Sequence, residues 1–231
     1  RTPRGRSPGR AGRTLREAKI TGVGLDENTG LWRFRGGGGG DVVIREGDPV
    51  PGAPGRQFGD MAFLPWPQHA INVADTVVVS DAPGVWRFDG ATEPLGIAAQ
   101  ADPATGGTFI GFGGPVAIND TAVAFAAGVD DPDGAPGTRQ RGVWRHGGAD
   151  LENVAQDGSD YTRKLVLNAQ NRVAYITVGH RLKWETEPGV ELLTGRFNPA
   201  PGTEGDFETL HNVYFNREGQ MLFTAQSVEG S

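Results

Sequence analysis

Ile118-Asn119-Asp120-Thr121-Ala122-Val123-Ala124-Phe125 decides how this chain is read, because relatives of the stretch recur at nearly constant distance. They begin at Ile71-Asn72, Leu167-Asn168 and Phe215-Asn216, which places the asparagines 47, 49 and 48 residues apart. A period in this range marks a repeat architecture, one supersecondary unit stacked several times. At the third position after the asparagine the copies carry Asp75, Asn171 and Gly219, the residue types that best tolerate a left-handed backbone. Apolar runs follow: Val77-Val78-Val79, Val173-Ala174-Tyr175 and Met221-Leu222-Phe223. Each asparagine is therefore expected to cap a tight turn that feeds a buried strand. The Asn119 copy is one residue shorter, so its turn should differ, with Asn119 bonded to backbone and Val123 and Phe125 facing a sheet core.

Working outward, a second signature holds a fixed place after the first. Gly30-Leu31-Trp32-Arg33-Phe34 returns as Gly84-Val85-Trp86-Arg87-Phe88 and Gly142-Val143-Trp144-Arg145-His146, and in weaker form around Leu182-Lys183-Trp184. Alternating side chains rich in aromatic and β-branched residues are the signature of a half-buried strand. The recurrence of the tryptophans at one phase points to packing between neighbouring units. Next comes an apolar strand, then an Asp/Asn turn at Asp48-Pro49, Asp102-Pro103, Asp157-Gly158 or Asn198-Pro199. Asp and Asn accept bonds from nearby backbone amides, and Pro presets φ at the next turn position. A last short segment is marked by Phe58, Phe109, Tyr161 and Phe207.

Four short strands in about 48 residues, with no helix-length apolar periodicity, predict an all-β fold. The expected architecture is a β-propeller-like array of about four to five four-stranded units. The expected organisation is a disordered basic tail over 1–14 and a single β-repeat domain over 15–231. Its units fall at approximately 15–70, 71–117, 118–166, 167–214 and, in part, 215–231.

Composition supports this reading and excludes several functions. Of 231 residues, 37 are Gly and 16 are Pro, a share that suits many short strands joined by tight turns. With no cysteine, disulfides, thiolate metal sites and cysteine nucleophiles are excluded. The net charge of −6 hides an asymmetry, since Arg1, Arg4, Arg6, Arg10, Arg13 and Arg16 crowd the first 16 residues without an acid. The remaining body, with 16 basic against 28 acidic groups, argues against a nucleic-acid surface. No apolar run is long enough for a membrane-spanning helix, and no apolar segment of signal-peptide type follows the arginines.

Chemistry-bearing residues are sparse. His69, His146, His180 and His211 lack the close pairing of zinc ligands, and no nucleophile elbow, phosphate loop or dinucleotide fingerprint occurs. Asp130-Asp131-Pro132-Asp133-Gly134 is the candidate calcium loop, with Asp130, Asp131 and Asp133 as ligands, although a solvated hairpin tip explains it too. No other cofactor is expected. Asp48, Asp102, Asp157 and Asn198 could form an acidic ring at one face, and turn chemistry accounts for each of them separately. Trp66, in Phe63-Leu64-Pro65-Trp66-Pro67, belongs to no repeat phase and is the candidate contact for a protein or glycan partner.

The pattern Asn-x-x-Gly-x-x-Ala-Phe, with Gly-[Ile/Val]-Trp and Arg-Glu-Gly-Asp-x-x-Pro-Gly, resembles the bacterial choice-of-anchor tandem-repeat proteins named for their NxxGxxAF repeat. Phe215 to Phe223 fits with only Leu222 in place of Ala, and Arg45-Glu46-Gly47-Asp48-Pro49-Val50-Pro51-Gly52 matches the second signature in full. The similarity covers roughly residues 20–231, while residues 1–19 depart from it. The resemblance implies a secreted or surface-attached protein of no established activity. The expected function is a noncatalytic extracellular or cell-surface repeat module, acting as scaffold or binding a ligand or partner. The alternative is a carboxylate-dependent hydrolase or lyase acting at the axial face of a propeller.

Overall fold

Every apolar or alternating run in the described part of the chain forms a strand. The computed structural model describes residues 14–19, 29–35, 39–59, 68–90, 94–100, 102–104, 107–130, 139–147, 150–156, 160–187, 189–216 and 218–228. Among them no helix occurs. Most of the expected basic tail lies outside the described residues. The chain divides into two compact units, Arg1–Phe63 and Leu64–Ser231.

In the first unit β1 (Thr14–Lys19), β2 (Thr29–Arg35) and β3 (Gly39–Arg45) form an antiparallel sheet in chain order. Leu31 and Ile44 are buried at its centre, and Val50 and Phe58 are buried in the loop that follows.

The second unit repeats one meander. Strands β4 (His69–Ile71), β5 (Val77–Asp81), β6 (Gly84–Phe88) and β7 (Leu95–Ala99) make the first sheet. A short hairpin of β8 (Pro103–Ala104) and β9 (Gly107–Gly111) leads to the second sheet, β10 (Val116–Ile118), β11 (Val123–Asp130), β12 (Arg139–Gly147) and β13 (Asp150–Gln156). There β11 is long enough to pair with β10 at its start and β9 at its end. The third sheet is β14 (Thr162–Leu167), β15 (Val173–Thr177), β16 (Arg181–Thr186) and β17 (Gly189–Gly195). A hairpin of β18 (Asp206–Phe215) and β19 (Met221–Val228) completes the described strands.

Asn72, Asn119, Asn168 and Asn216 each stand immediately after the first strand of their sheet, so each asparagine turn joins the first and second strands. First strands of successive sheets are neighbours: β10 lies against β4 and β14, and β14 against β18. The sheets stack face on face through three apolar layers. Val78, Phe109, Val123, Phe125 and Trp144 belong to the first layer, Ala124, Val143, Leu165 and Tyr175 to the second, and Ile176, Leu182, Phe207 and Leu210 to the third. The second strand β15 therefore has both faces covered, and β5, with Val77, Val78 and Val79 all buried, likewise reads as a continuous apolar run rather than an alternating one. This is the expected β-propeller-like array of four-stranded units.

The Gly-apolar-Trp pattern has a steric cause. A Cβ added at Gly30, Gly84 or Gly142 would run into the carbonyl oxygen of Ile44, Ala98 or Ala155 on the neighbouring strand. It would also lie 2.9, 3.0 or 2.9 Å from Cη2 of the tryptophan two residues on. The indole folds back over its own strand, and only glycine leaves room. Trp86 and Trp144 are buried, whereas Trp184 is half-buried against Phe215 at 5.1 Å between ring centroids. Because the obstacle at Gly142 is backbone rather than a movable side chain, Gly142→Ala is expected to cost about 2 kcal/mol, read as a lowered urea midpoint.

Candidate functional site

The repeated polar residues hold the framework together. Asn72 Oδ1 accepts from the amides of Ala74 and Thr76, Asn119 Oδ1 from Thr121 and Ala122, and Asn168 Oδ1 from Gln170 and Arg172. Their amide groups point to the next sheet: Asn72 Nδ2 donates to the Asn119 carbonyl at 3.0 Å, and Asn119 Nδ2 to the Asn168 carbonyl at 2.7 Å. Asp75, Asn171 and Gly219 have φ of 67°, 64° and 79°, the left-handed backbone expected of them. In those copies the Asn amide donates four residues ahead, to Thr76, Arg172 and Gln220, but in the shorter copy Asn119 donates to Ala122. The shortened turn gains Asn171 Oδ1 as an extra acceptor for Asn119 Nδ2 at 2.7 Å. Val123 and Phe125 are buried, as read from sequence.

Asp48 and Asp102 also act locally. Each carboxylate accepts from a backbone amide three residues back, Arg45 or Ala99, at 2.7 Å. Their carbonyls accept from Phe58 and Phe109, and the Asn198 carbonyl accepts from Phe207 in the same way. Asp157 lies outside the described residues, as do Trp66, Asp131 and Asp133. Asp130 is exposed at the end of β11, opposite Arg139. His180 Nδ1 lies against the backbone of Leu210, and His211 Nε2 against Thr209 Oγ1. No group of three His, Asp or Glu suited to a metal ion occurs among the described residues. Among the described residues no helix is long and apolar enough to cross a membrane.

Two arginines on β12 have opposite surroundings. Arg145 donates to both oxygens of Glu185, at 2.8 and 2.7 Å, to Glu152 at 2.5 Å and to the Asn171 carbonyl at 2.6 Å. Burial works against this cation, yet its hydrogen bonds to Glu152 and Glu185 and their negative charge leave its pKa raised. Arg141, four residues earlier, lies over the ring of Tyr161 with its guanidinium carbon 3.0 Å from the centroid. No carboxylate among the described residues pairs with it. Its pKa is lowered, by burial first and by the nearby Arg139 as well, against the favourable pull of Tyr161.

Arg141 and Tyr161 line a cleft of about 100 Å³, with Gly111 to Gly114, Ala126 to Gly128, Gly142 and Thr162 around it. The cleft exists because a strand is interrupted. β18 runs without a break from Asp206 to Phe215, whereas the corresponding run of the second sheet is split into β9 and β10 by Phe112-Gly113-Gly114-Pro115. The break is held toward the first sheet, since Gln68 Nε2 donates to the Gly113 carbonyl at 2.7 Å and Gly113 N donates to Ser80 Oγ at 3.2 Å. A bulge between Gly128 and Val129 bends β11 beside it. Sequence periodicity places Tyr161 at one repeat phase with Phe58, Phe109 and Phe207. Those three are buried, while Tyr161 is 49% exposed. A polar aromatic at a phenylalanine phase was the signal.

A second departure from the repeat is Phe197. Its amide donates to the Phe207 carbonyl as that of Gly47 does to Phe58, so the two residues hold the same turn position. Both have left-handed backbone, φ 84° at Gly47 and 66° at Phe197. A bulky side chain is strained there, and this one is 68% exposed, beneath the Arg196 guanidinium at 4.6 Å.

The chain is similar to a solved structure assigned as a candidate gluconolactonase, with 12% identity, a TM-score of 0.46 and 96% of each chain covered. No curated protein matches it. Over residues 6–163 the sequence matches the model of a family of unknown function, DUF7453, and the chain belongs to that family.

Proposed function

We propose that this chain is a noncatalytic repeat module that binds a partner through the loops at the opposite sheet ends from the asparagine turns. The resemblance of its motifs to NxxGxxAF-repeat proteins supports the cell surface or the extracellular space as its place of action. The observation that carries the reading is Phe197. An exposed aromatic on a strained backbone stands at a position that glycine fills in the equivalent turn, and its ring is 68% exposed rather than packed in a core. Strain of this kind is characteristic of contact sites, and aromatic residues dominate the binding energy of protein interfaces.

Replacing Phe197 by glycine relieves about 1–2 kcal/mol of left-handed strain and loses about 0.5–1 kcal/mol to the greater freedom of glycine in the unfolded chain. The expected outcome is a protein more stable by about 0.5 kcal/mol, read as a raised urea midpoint. A destabilised Phe197→Gly would show that the ring supports the fold and would remove the basis of the reading.

The carboxylates required by a hydrolase or lyase are not favoured in the described turns, because Asp48 and Asp102 are engaged by backbone amides of their own turns. The direct test is turnover: the purified chain is incubated with glycans and esters. Hydrolysis abolished by replacing one acidic residue would overturn the noncatalytic reading.

A further inference from the structure

The cleft beside Arg141 has the features of a built site for an anion. Arginine is normally matched to carboxylates, and Arg145 on the same strand is matched to two of them. Arg141 has none among the described residues, although the body of the chain is strongly acidic. Its guanidinium carbon sits 3.0 Å from the centre of the Tyr161 ring, which holds the group in place, and the guanidinium carries more N–H donors than that one side chain can use. The walls are glycine backbone, Ala126, Ala127 and Phe112, with no acidic side chain among the described residues that line the cleft. The strand break that opens the cleft is not repeated in the last hairpin, where β18 is continuous, so the repeat alone does not generate it.

We propose that this cleft binds the carboxylate of a small organic ligand, with Arg141 as the recognising cation and Tyr161 as its platform. The proposal rests on the reading of the chain as a binding module and adds a site and a ligand class to it. About 100 Å³ equals the share of roughly three waters at about 30 Å³ each. That volume accommodates a carboxylate and the one or two carbons that carry it, while the remainder of a larger ligand lies outside, toward exposed Tyr161. A bidentate Arg–carboxylate contact selects planar anions over a point charge. Partial burial strengthens the contact, because an anion restores favourable surroundings to a cation that desolvation disfavours.

The test is an NMR or fluorescence titration of the full chain with acetate and D-glucuronate, and with acetamide, D-glucose and inorganic phosphate as controls. The expected result is binding of both carboxylates with a dissociation constant on the order of 1 mM, and none of the neutral controls. Glucuronate tighter than acetate would place a sugar ring against Tyr161, and equal affinities would confine recognition to the carboxylate; either outcome supports the assignment. Arg141→Gln should weaken binding at least about 10-fold, and Arg141→Lys should restore part of it, because charge remains while the bidentate contact is lost. Lys at this position also preserves the cationic character of the site if Gln perturbs folding. Failure of both carboxylates to bind, affinity unchanged in Arg141→Gln, or tighter binding of phosphate would each overturn the proposal. Turnover of a bound carboxylate would instead overturn the noncatalytic reading and leave the cleft assignment standing, so the two failures are distinguishable.

Discussion

Asn119→Ala is expected to lower stability by about 3 kcal/mol, whereas Asn216→Asp should change it by no more than about 0.5 kcal/mol. The same repeat phase gives unequal effects because the amides face different surroundings. At Asn119 alanine removes the acceptor of two backbone amides and the donor to two oxygens on the next sheet, at about 1 kcal/mol net for each bond, reduced by partial rehydration. At Asn216 the side-chain oxygen caps Gln220 N, and the amide donates to exposed Gln220 Oε1, whose own amide can turn round to satisfy a carboxylate. Asn119→Asp separates the two roles. Aspartate caps the turn as well as asparagine does, but its second oxygen would face the fixed Asn168 carbonyl. A turned Asn171 amide can relieve the other contact, so the expected loss is about 2 kcal/mol. Urea unfolding of the three variants reads these differences directly. Equal effects of Asn119→Asp and Asn216→Asp would show that the contact between sheets contributes nothing and that turn capping is the whole role of the motif.

This division explains what could be read from sequence. Asn72, Asn168 and Asn216, with Asp75, Asn171 and Gly219 three residues on, reveal the turn because left-handed backbone restricts residue choice locally. Gly142-Val143-Trp144 reveals the third strand because the clash that selects glycine involves a tryptophan two residues away and the adjoining strand. Both patterns are caused by near neighbours, and both recur. The Nδ2 contact from Asn119 to the next sheet could not be read, since it spans 49 residues and leaves no mark beyond an asparagine already explained by its turn. Arg141 and Tyr161 were hidden for a different reason. Repeat alignment emphasises what is common, while the cleft depends on what is not: the interruption at Phe112 to Pro115 and a tyrosine where Phe58, Phe109 and Phe207 are buried. Phe197 belongs with them, because its interest comes from φ, and Asn198 beside it made the turn look ordinary. In a repeat protein the framework is legible in recurrence and the candidate site in exceptions to it.

The exception at Glu185 leads to the second large effect. Arg33, Arg87 and Arg145 follow their tryptophans directly, and in the third sheet the same place is held by Glu185 after Trp184. That change of sign lets Arg145 of the second sheet pair with Glu185 of the third, both side chains only 15% and 16% exposed. Breaking such a pair on one side leaves a poorly solvated charge behind, so Arg145→Met is expected to cost about 3 kcal/mol. Glu185→Gln should cost about 2 kcal/mol, since Gln keeps an oxygen for the Val173 amide that Glu185 accepts at 2.9 Å. The double variant removes both charges and is expected to lose about 3 kcal/mol rather than the sum, a coupling of about 2 kcal/mol in the range measured for contacting residues. Urea midpoints of the four proteins complete the cycle, and additive losses within about 0.5 kcal/mol would mean the ion pair does not hold the two sheets together. The contribution also has a defined pH course. Because the Arg145 pKa is raised in the folded protein, its share of stability is complete below the ordinary guanidinium range and lost only as pH rises through the raised value. Raising the pH from neutral to mildly alkaline should therefore leave the difference between wild type and Arg145→Met unchanged.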